Sequence, residues 1–279
     1  MRMTQDIVLI PTFWRPEYLH LCLEAATQAA GSDAKQFWIY VDAHLPVAEH
    51  EAILPPDFPT HDKVTVEMRK DQSLVLSYWQ SRLKNRFRFI LRQPHPYYGN
   101  SFNTLEAYRD AFSTDAKRVY LVEDDIVVKP DFFTWSERAH HAPCFCTVGW
   151  SPSGKFLSCG VGWDRERLGA VLKYAEQAYY ENPESYVKQH FPASQVHGMA
   201  EQDGLIRRII EQQELPLIVA DDSRCEHIGA FGYHKFLSGK PTGDFQTRLE
   251  FWRERSKDPR WLQFINQAGT NENQEMQLQ

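Results

Sequence analysis

The sequence predicts an α/β fold, a single domain with a mostly parallel central sheet flanked by helices. Three observations predict it. Short apolar runs rich in β-branched and aromatic residues (7–10, 37–41 and 119–122) have the composition of strands buried on both faces. The stretches between such runs carry apolar residues at helical spacing. Most of the runs end on a polar residue, and in open α/β sheets the carboxyl ends of the strands are where ligands bind. A chain of 279 residues can bury one large core, or a core with a small appendage.

In order, residues 7–10 form a strand that Pro11-Thr12-Phe13-Trp14-Arg15-Pro16 turns into a helix, with Pro16 suited to its first turn and Leu19, Leu23, Ala26 and Ala30 on one face. Residues 37–41 form a second strand ending in Asp42. A Pro-rich connection leads to a third strand at 64–67, then a helix at 72–85. Strict alternation over 86–92 predicts a strand with one charged face. Asn100 or Ser101 caps the next helix, whose Phe102, Leu105, Tyr108 and Phe112 face the core. That helix delivers the chain to the strand at 119–122, completing a doubly wound half. Two strands, 144–150 and 156–163, follow around a Ser151-Pro152-Ser153-Gly154 turn. Asp164 caps a helix, 179–197 has no clear period, and another helix begins near Met199 with Leu205, Ile206, Ile209 and Ile210 as its buried stripe. Residues 217–220 make the last strand, 245–255 a surface helix, and 268–279 a polar, disordered tail.

Chemistry concentrates at the end of the 119–122 strand, which runs into Glu123, Asp124 and Asp125 before Lys129-Pro130. Strand alternation places Glu123 and Asp125 on one face, about 7 Å apart. At an effective dielectric of 20 they repel by roughly 2–3 kcal/mol if both are charged. A solvated acidic turn is the ordinary explanation of such a cluster. Its position directly after four apolar residues, and before Pro130-Asp131-Phe132-Phe133, favours a hard divalent cation with oxygen ligands and substrate phosphates.

The run from Leu121 to Phe133 resembles the Asp-x-Asp (DXD) region of GT-A-fold glycosyltransferases, whose fold is Rossmann-like. It is closest to the N-acetylglucosaminyltransferase I and family 2 types. The resemblance spans roughly residues 5–235 and is strongest at the acidic strand end. It implies a metal-dependent enzyme that moves a sugar from a nucleotide-diphospho-sugar to a hydroxyl acceptor, with Mn²⁺ or Mg²⁺ as cofactor and a UDP-sugar as the commonest donor. It implies Asp125 as metal ligand, Glu123 and Asp124 as donor contacts, and the loop of Pro11, Thr12 and Arg15 as the floor beneath the nucleotide. It implies Asp42 as the reader of the nucleobase, although a cap for the following segment fits Asp42 equally by spacing. Gly160 and Gly162 leave room for close backbone approach, by the donor sugar on this reading.

In the resembled enzymes that invert, an Asp or Glu at the start of a late helix is the catalytic base. Here that helix opens Glu201-Gln202-Asp203, so Asp203 is the first candidate and Glu201 the second; carboxylates in a first turn are also favoured by the helix dipole alone. A His after the last strand closes the metal site in many of these enzymes, which singles out His227, in a His-x-Gly loop, ahead of His234. The implied division is residues 1–235 as the catalytic domain (1–133 nucleotide-binding, 134–235 acceptor-facing) and 236–279 as a C-terminal extension. A nucleotidyltransferase shares this sheet and uses paired acids, but the loop from Pro11 to Pro16 lacks the Gly expected there.

Composition narrows the class further. A net charge of −6 gives no general pull toward nucleic acid or anionic membrane. The basic run Arg82, Lys84, Arg86, Arg88 and Arg92 is a solvated face in the ordinary case; a polyanionic acceptor such as hydroxymethylated viral DNA is the sharper alternative to a saccharide. No stretch is long and apolar enough for a transmembrane helix or signal peptide. Golgi members of the resembled type carry a membrane anchor and stem, so the resemblance implies a cytoplasmic protein of bacterial or viral origin. The five cysteines, at no metal-binding spacing, are expected to be reduced thiols. Cys144 and Cys146 are expected to alternate across a strand.

Overall fold

The computed structural model describes residues 5–42, 66–92, 99–196, 199–229, 231–232, 235–236 and 245–255. Its centre is a seven-stranded sheet in the order β3-β2-β1-β4-β7-β6-β8. The strands are β1 (Asp6–Thr12), β2 (Lys35–Val41), β3 (Phe87–Leu91), β4 (Arg118–Leu121), β6 (Cys146–Val148), β7 (Val161–Asp164) and β8 (Leu217–Val219). β1 pairs in parallel with both β2 and β4, and β3 continues the parallel side. β7 is antiparallel to both β4 and β6, and β8 is parallel to β6, so within this sheet β7 alone runs against the rest. This is the mostly parallel α/β sheet that the sequence predicts.

Alternate residues of the buried strands face two separate cores. Ile7, Leu9, Trp38, Tyr40, Val119 and Leu121 pack under helices α3 (Asn100–Phe112), α5 (Arg165–Leu172) and α8 (Gln202–Glu211). Val8, Ile10, Phe37, Ile39, Tyr120 and Val122 pack under α1 (Pro16–Gln28), α2 (Val66–Leu83) and α4 (Phe132–Ala139). Two-sided burial explains why these runs are uninterruptedly apolar. Cys144 and Cys146 do not alternate between core and surface as expected: both are buried, and Cys144 precedes β6. All five cysteines are free.

Several elements depart from the sequence reading. Val66 and Glu67, predicted to end a strand, open α2, because Glu67 to Gln72 is a run of helix formers with no breaker. Residues 64 and 65, the Pro-rich connection before them, His234 and the 268–279 tail lie outside the described residues. The span 179–197 contains much of two short helices, α6 (Gln177–Glu181) and α7 (Pro183–His190), each too short to show a period. Asn182 caps the second through Ser185 N–H at 2.9 Å, with Pro183 at its first position. Gly99, not Asn100 or Ser101, occupies the cap position of α3. Asp164 stands at the cap position of α5 but makes no side-chain cap; its carboxylate receives Arg118 Nε at 3.2 Å. The predicted strand at 86–92 is the edge strand β3, where Phe89 and Leu91 are exposed beside Arg88.

Residues 217–220 do not make the last strand either. β5 (Ile126–Val128) pairs antiparallel with β9 (Cys225–His227), and β10 (Phe231–Gly232) pairs with β11 (Lys235–Phe236). The predicted surface helix is present as α9 (Phe245–Arg255), tied to α1 by Arg253 and Glu24 at 3.1 Å.

Gly162 sits within β7, where a Cβ would lie 2.2 Å from Ser136 Oγ and 2.6 Å from Thr147 Oγ1. The protein's own hydroxyls therefore fill the space that the sequence reading gave to a sugar. Gly162→Ala is expected to lower unfolding stability in urea by about 1–3 kcal/mol through overpacking. Unchanged stability with weakened donor binding would return this glycine to the ligand.

Candidate functional site

The carboxyl ends of β1, β2 and β4 lie side by side. Asp42 N–H bonds Thr12 O at 2.9 Å and Asp124 N–H bonds Pro11 O at 3.3 Å, so the polar residues after all three strands gather at one edge. The chain leaves β4 by turning at once, with Ile126 N–H on Glu123 O at 2.9 Å. That turn breaks strand alternation, and the predicted sharing of one face by Glu123 and Asp125 does not hold. Asp124 and Asp125 both meet Arg15, whereas Glu123 points to other partners.

Asp124 is fully buried and accepts Thr12 Oγ1 at 2.6 Å. Arg15 grips it with two nitrogens, Nε at 3.1 Å and Nη2, and reaches Asp125 Oδ2 with Nη1 at 3.1 Å. A guanidinium is suited to this fork, because it presents several donors in one plane and stays charged. Burial lowers the proton affinity of Arg15, but the two carboxylates outweigh it and hold the group well above its ordinary value. Burial raises Asp124 against the pull of Arg15. For Asp125, burial is outweighed by Arg15 and His227, leaving its carboxyl below the usual range.

His227 reaches this point on β9, not on the loop that the sequence suggested. The β5–β9 ladder sets Ile126 against His227, and Ile228 N–H bonds Asp125 O at 2.8 Å. His227 Nε2 then lies 3.7 Å from Asp125 Oδ2, with its ring stacked at 6.4 Å on Trp150. Gly229 is required there: a Cβ would fall 2.4 Å from Asp125 Oδ2.

Two facts bear on whether a metal fits. Asp125 Oδ1 is buried with no hydrogen-bond partner among the described residues, an acceptor that none of them satisfies. No three His, Cys, Asp or Glu side chains among the described residues form a cage for an ion. One carboxylate and one imidazole with an orphaned oxygen suit a hard cation that keeps water and substrate oxygens in most of its shell.

Glu123 accepts Asn100 Nδ2 at 2.9 Å and Gln202 Nε2 at 3.2 Å. Burial, reinforced by Asp125 and Asp203, pushes its carboxyl up to about 8. Gln202 Nε2 also donates to Ser158 Oγ at 3.1 Å, and Ser158 donates to Asp203 twice, through Oγ and through its N–H at 3.3 Å. Asp203 lies in the first turn of α8, and burial raises its carboxyl against these two bonds. Glu201, the cap residue just before the helix, is exposed. A continuous chain of hydrogen bonds thus runs from the acidic strand end to Asp203. The sequence offers Asn100 only as a helix cap and assigns no role to Ser158 or Gln202. Gln202 had a signal in its place between two acids, and Ser158 had none.

Asp42, buried at the end of β2, takes its place beside β1. The basic run is largely occupied by the fold. Arg86 donates to Ser32 O at 2.8 Å, Arg92 to Asn103 Oδ1 at 3.3 Å, and Arg88 lies 4.7 Å over the Trp38 ring. No helix among the described residues is long and apolar enough to cross a membrane.

No family model matches this sequence, and no curated protein does. Among solved structures the chain is similar to the mannosyltransferase PcManGT from Pyrobaculum calidifontis in complex with GDP-Man and Mn²⁺, at 12% identity and a TM-score of 0.49 over 82% of this chain and 59% of that one. It is similar to the glycosyltransferase GlyE in Streptococcus pneumoniae TIGR4, at 8% identity and a TM-score of 0.47 over 96% of this chain and 64% of that one. It is also similar to the galactosyltransferase LgtC in complex with donor and acceptor sugar analogs, at 12% identity and a TM-score of 0.40 over 77% of this chain and 73% of that one.

Proposed function

We propose that this chain is a metal-dependent glycosyltransferase of the GT-A kind, transferring a sugar from a nucleotide-diphospho-sugar to a hydroxyl acceptor with inversion at the anomeric carbon. The observation that carries the proposal is Asp125. Among the described residues one of its oxygens is buried without a partner, and the other lies between Arg15 and a histidine delivered by a separate strand.

Asp125 and His227 would hold Mn²⁺ or Mg²⁺, which when bound neutralises charge developing on the departing diphosphate. Arg15 adds a permanent positive charge at the same point; Thr12 fixes the Asp124 carboxylate that orients Arg15, and the Pro11 carbonyl holds the Asp124 main chain. Asp42, beside this loop, is the reader of the nucleobase, and a UDP-sugar is the first donor to test. Glu123 and Asp124 belong to the donor side, and Glu201, exposed at the helix start, to the acceptor side. Asp203 takes the proton from the attacking hydroxyl. Its raised carboxyl makes it a better base than a free aspartate once ionised, and transfer falls as pH drops through that raised value. A saccharide hydroxyl is the favoured acceptor; duplex DNA has less support because Arg86, Arg88 and Arg92 are engaged within the fold.

Two substitutions test the assignment. By calorimetry, Asp125→Ala is expected to abolish metal-dependent binding of UDP, and unchanged binding would refute the metal role. Asp203→Asn is expected to reduce transfer by about a hundredfold or more while leaving donor affinity nearly intact. If Asp203→Asn stays active and Glu201→Gln does not, the two acids exchange roles. A product of retained anomeric configuration would discard the base mechanism.

A further inference from the structure

We infer that Gln202 and Ser158 are positioning residues that tie the base to the donor side of the site through one carboxamide. The inference rests on the reading of Asp203 as base and Glu123 as donor contact, and it concerns residues that reading does not assign.

The amide has only one orientation compatible with its neighbours. Ser158 spends its hydroxyl hydrogen on Asp203, so its oxygen can only accept, and the group it accepts from must be the Gln202 NH₂. The same NH₂ donates to Glu123 Oε1, so both its hydrogens are committed. The side chain is nearly fully buried, and its backbone N–H is held by Ser101 Oγ at 3.1 Å. Gln202 therefore cannot release Glu123 without disturbing the serine that holds Asp203. At the far end, Ser158 contacts both oxygens of Asp203 and fixes the plane of the carboxylate.

The α8 backbone cannot take over this role. Gly204 lies so close to Met199 that a Cβ would be 2.2 Å from its carbonyl oxygen, which fixes where the helix starts but leaves the rotation of Asp203 to its side-chain partners. The other titratable groups around Asp203 are Arg207 and Glu201 from its own helix segment, Glu123 after β4, Tyr108 on α3, Tyr179 on α6 and Cys159 before β7. Hydrogen bonds that favour the ionised form of Asp203 come from Ser158, so removing the Ser158 hydroxyl raises the carboxyl still further.

The test is a cycle of Ser158→Ala, Gln202→Leu and the double variant, with Ser158→Thr as the conservative control. Ser158→Ala is expected to lower kcat about tenfold with donor KM unchanged, and to move the acid limb of the kcat profile up by about one pH unit. Ser158→Thr restores both. Gln202→Leu is expected to lower kcat and also raise donor KM, and the double variant to cost no more than the worse single one, because the two act through one chain of bonds. Additive losses, or an acid limb that stays in place while kcat drops, would overturn the inference. Carbon NMR titration of the Asp203 carboxyl supplies a readout independent of turnover. If no sugar is transferred by the wild type but Ser158→Ala and Gln202→Leu each still move this titration, and the double variant moves it no further than the larger of the two, the tie stands and the glycosyltransfer reading falls. If neither variant moves the Asp203 titration, the tie falls whatever the wild type catalyses.

Discussion

Three carboxylates in consecutive positions at the mouth of a buried strand would repel one another, and the guanidinium of Arg15 is what lets them stay. At about 3 Å each ion pair has roughly 5 kcal/mol of bare attraction at an effective dielectric of 20, before desolvation and partial exposure reduce it. Arg15 spends three donors on two acids and leaves the third to other means. Glu123 meets the problem differently: its proton affinity rises, and two neutral amides donate to it. The cluster is therefore one ion-paired dyad beside one readily protonated acid, and not a uniform patch of negative charge.

The position of Arg15 in turn depends on the loop that carries it. Trp14 adopts φ of 48°, in the left-handed region that a bulky residue rarely occupies, two residues before Pro16 begins α1. This backbone brings Arg15 back over the sheet end instead of out along the helix. The conformation is disfavoured locally and persists because the ion pairs and the packing of α1 over-determine it.

How much of this was legible follows from how far apart the interacting residues lie. β1, β2, β4 and their helices could be read from local pattern, because each is a run of one period closed by a polar residue or a proline. The acidic strand end could be read because its three acids are adjacent. Resemblance points to His227, but nothing local signals its strand, since Cys225-Glu226-His227 is too short and too polar. Its meaning comes from pairing with β5, on the other side of the acids. Ser158 was invisible for the same reason: a serine between Leu157 and Cys159 acquires a role only when α8 packs against it. The strand expected at 64–67 fails at Val66 and Glu67, where β-branched residues suggest a strand and the helix formers that follow prevail.

β7 has a further consequence. A strand that runs against its neighbours presents its beginning where they present their ends, so Val161 lies opposite Leu121, the last residue of β4. The connection that precedes β7, with Ser158 in it, is thereby brought to the same rim as the loops that follow β1, β2 and β4. A purely parallel sheet can furnish that rim only with what comes after its strands. Reversing one strand opens a second source of wall, whose length and chemistry can drift over generations without shifting the register of the strands that fix Asp124 and Asp125.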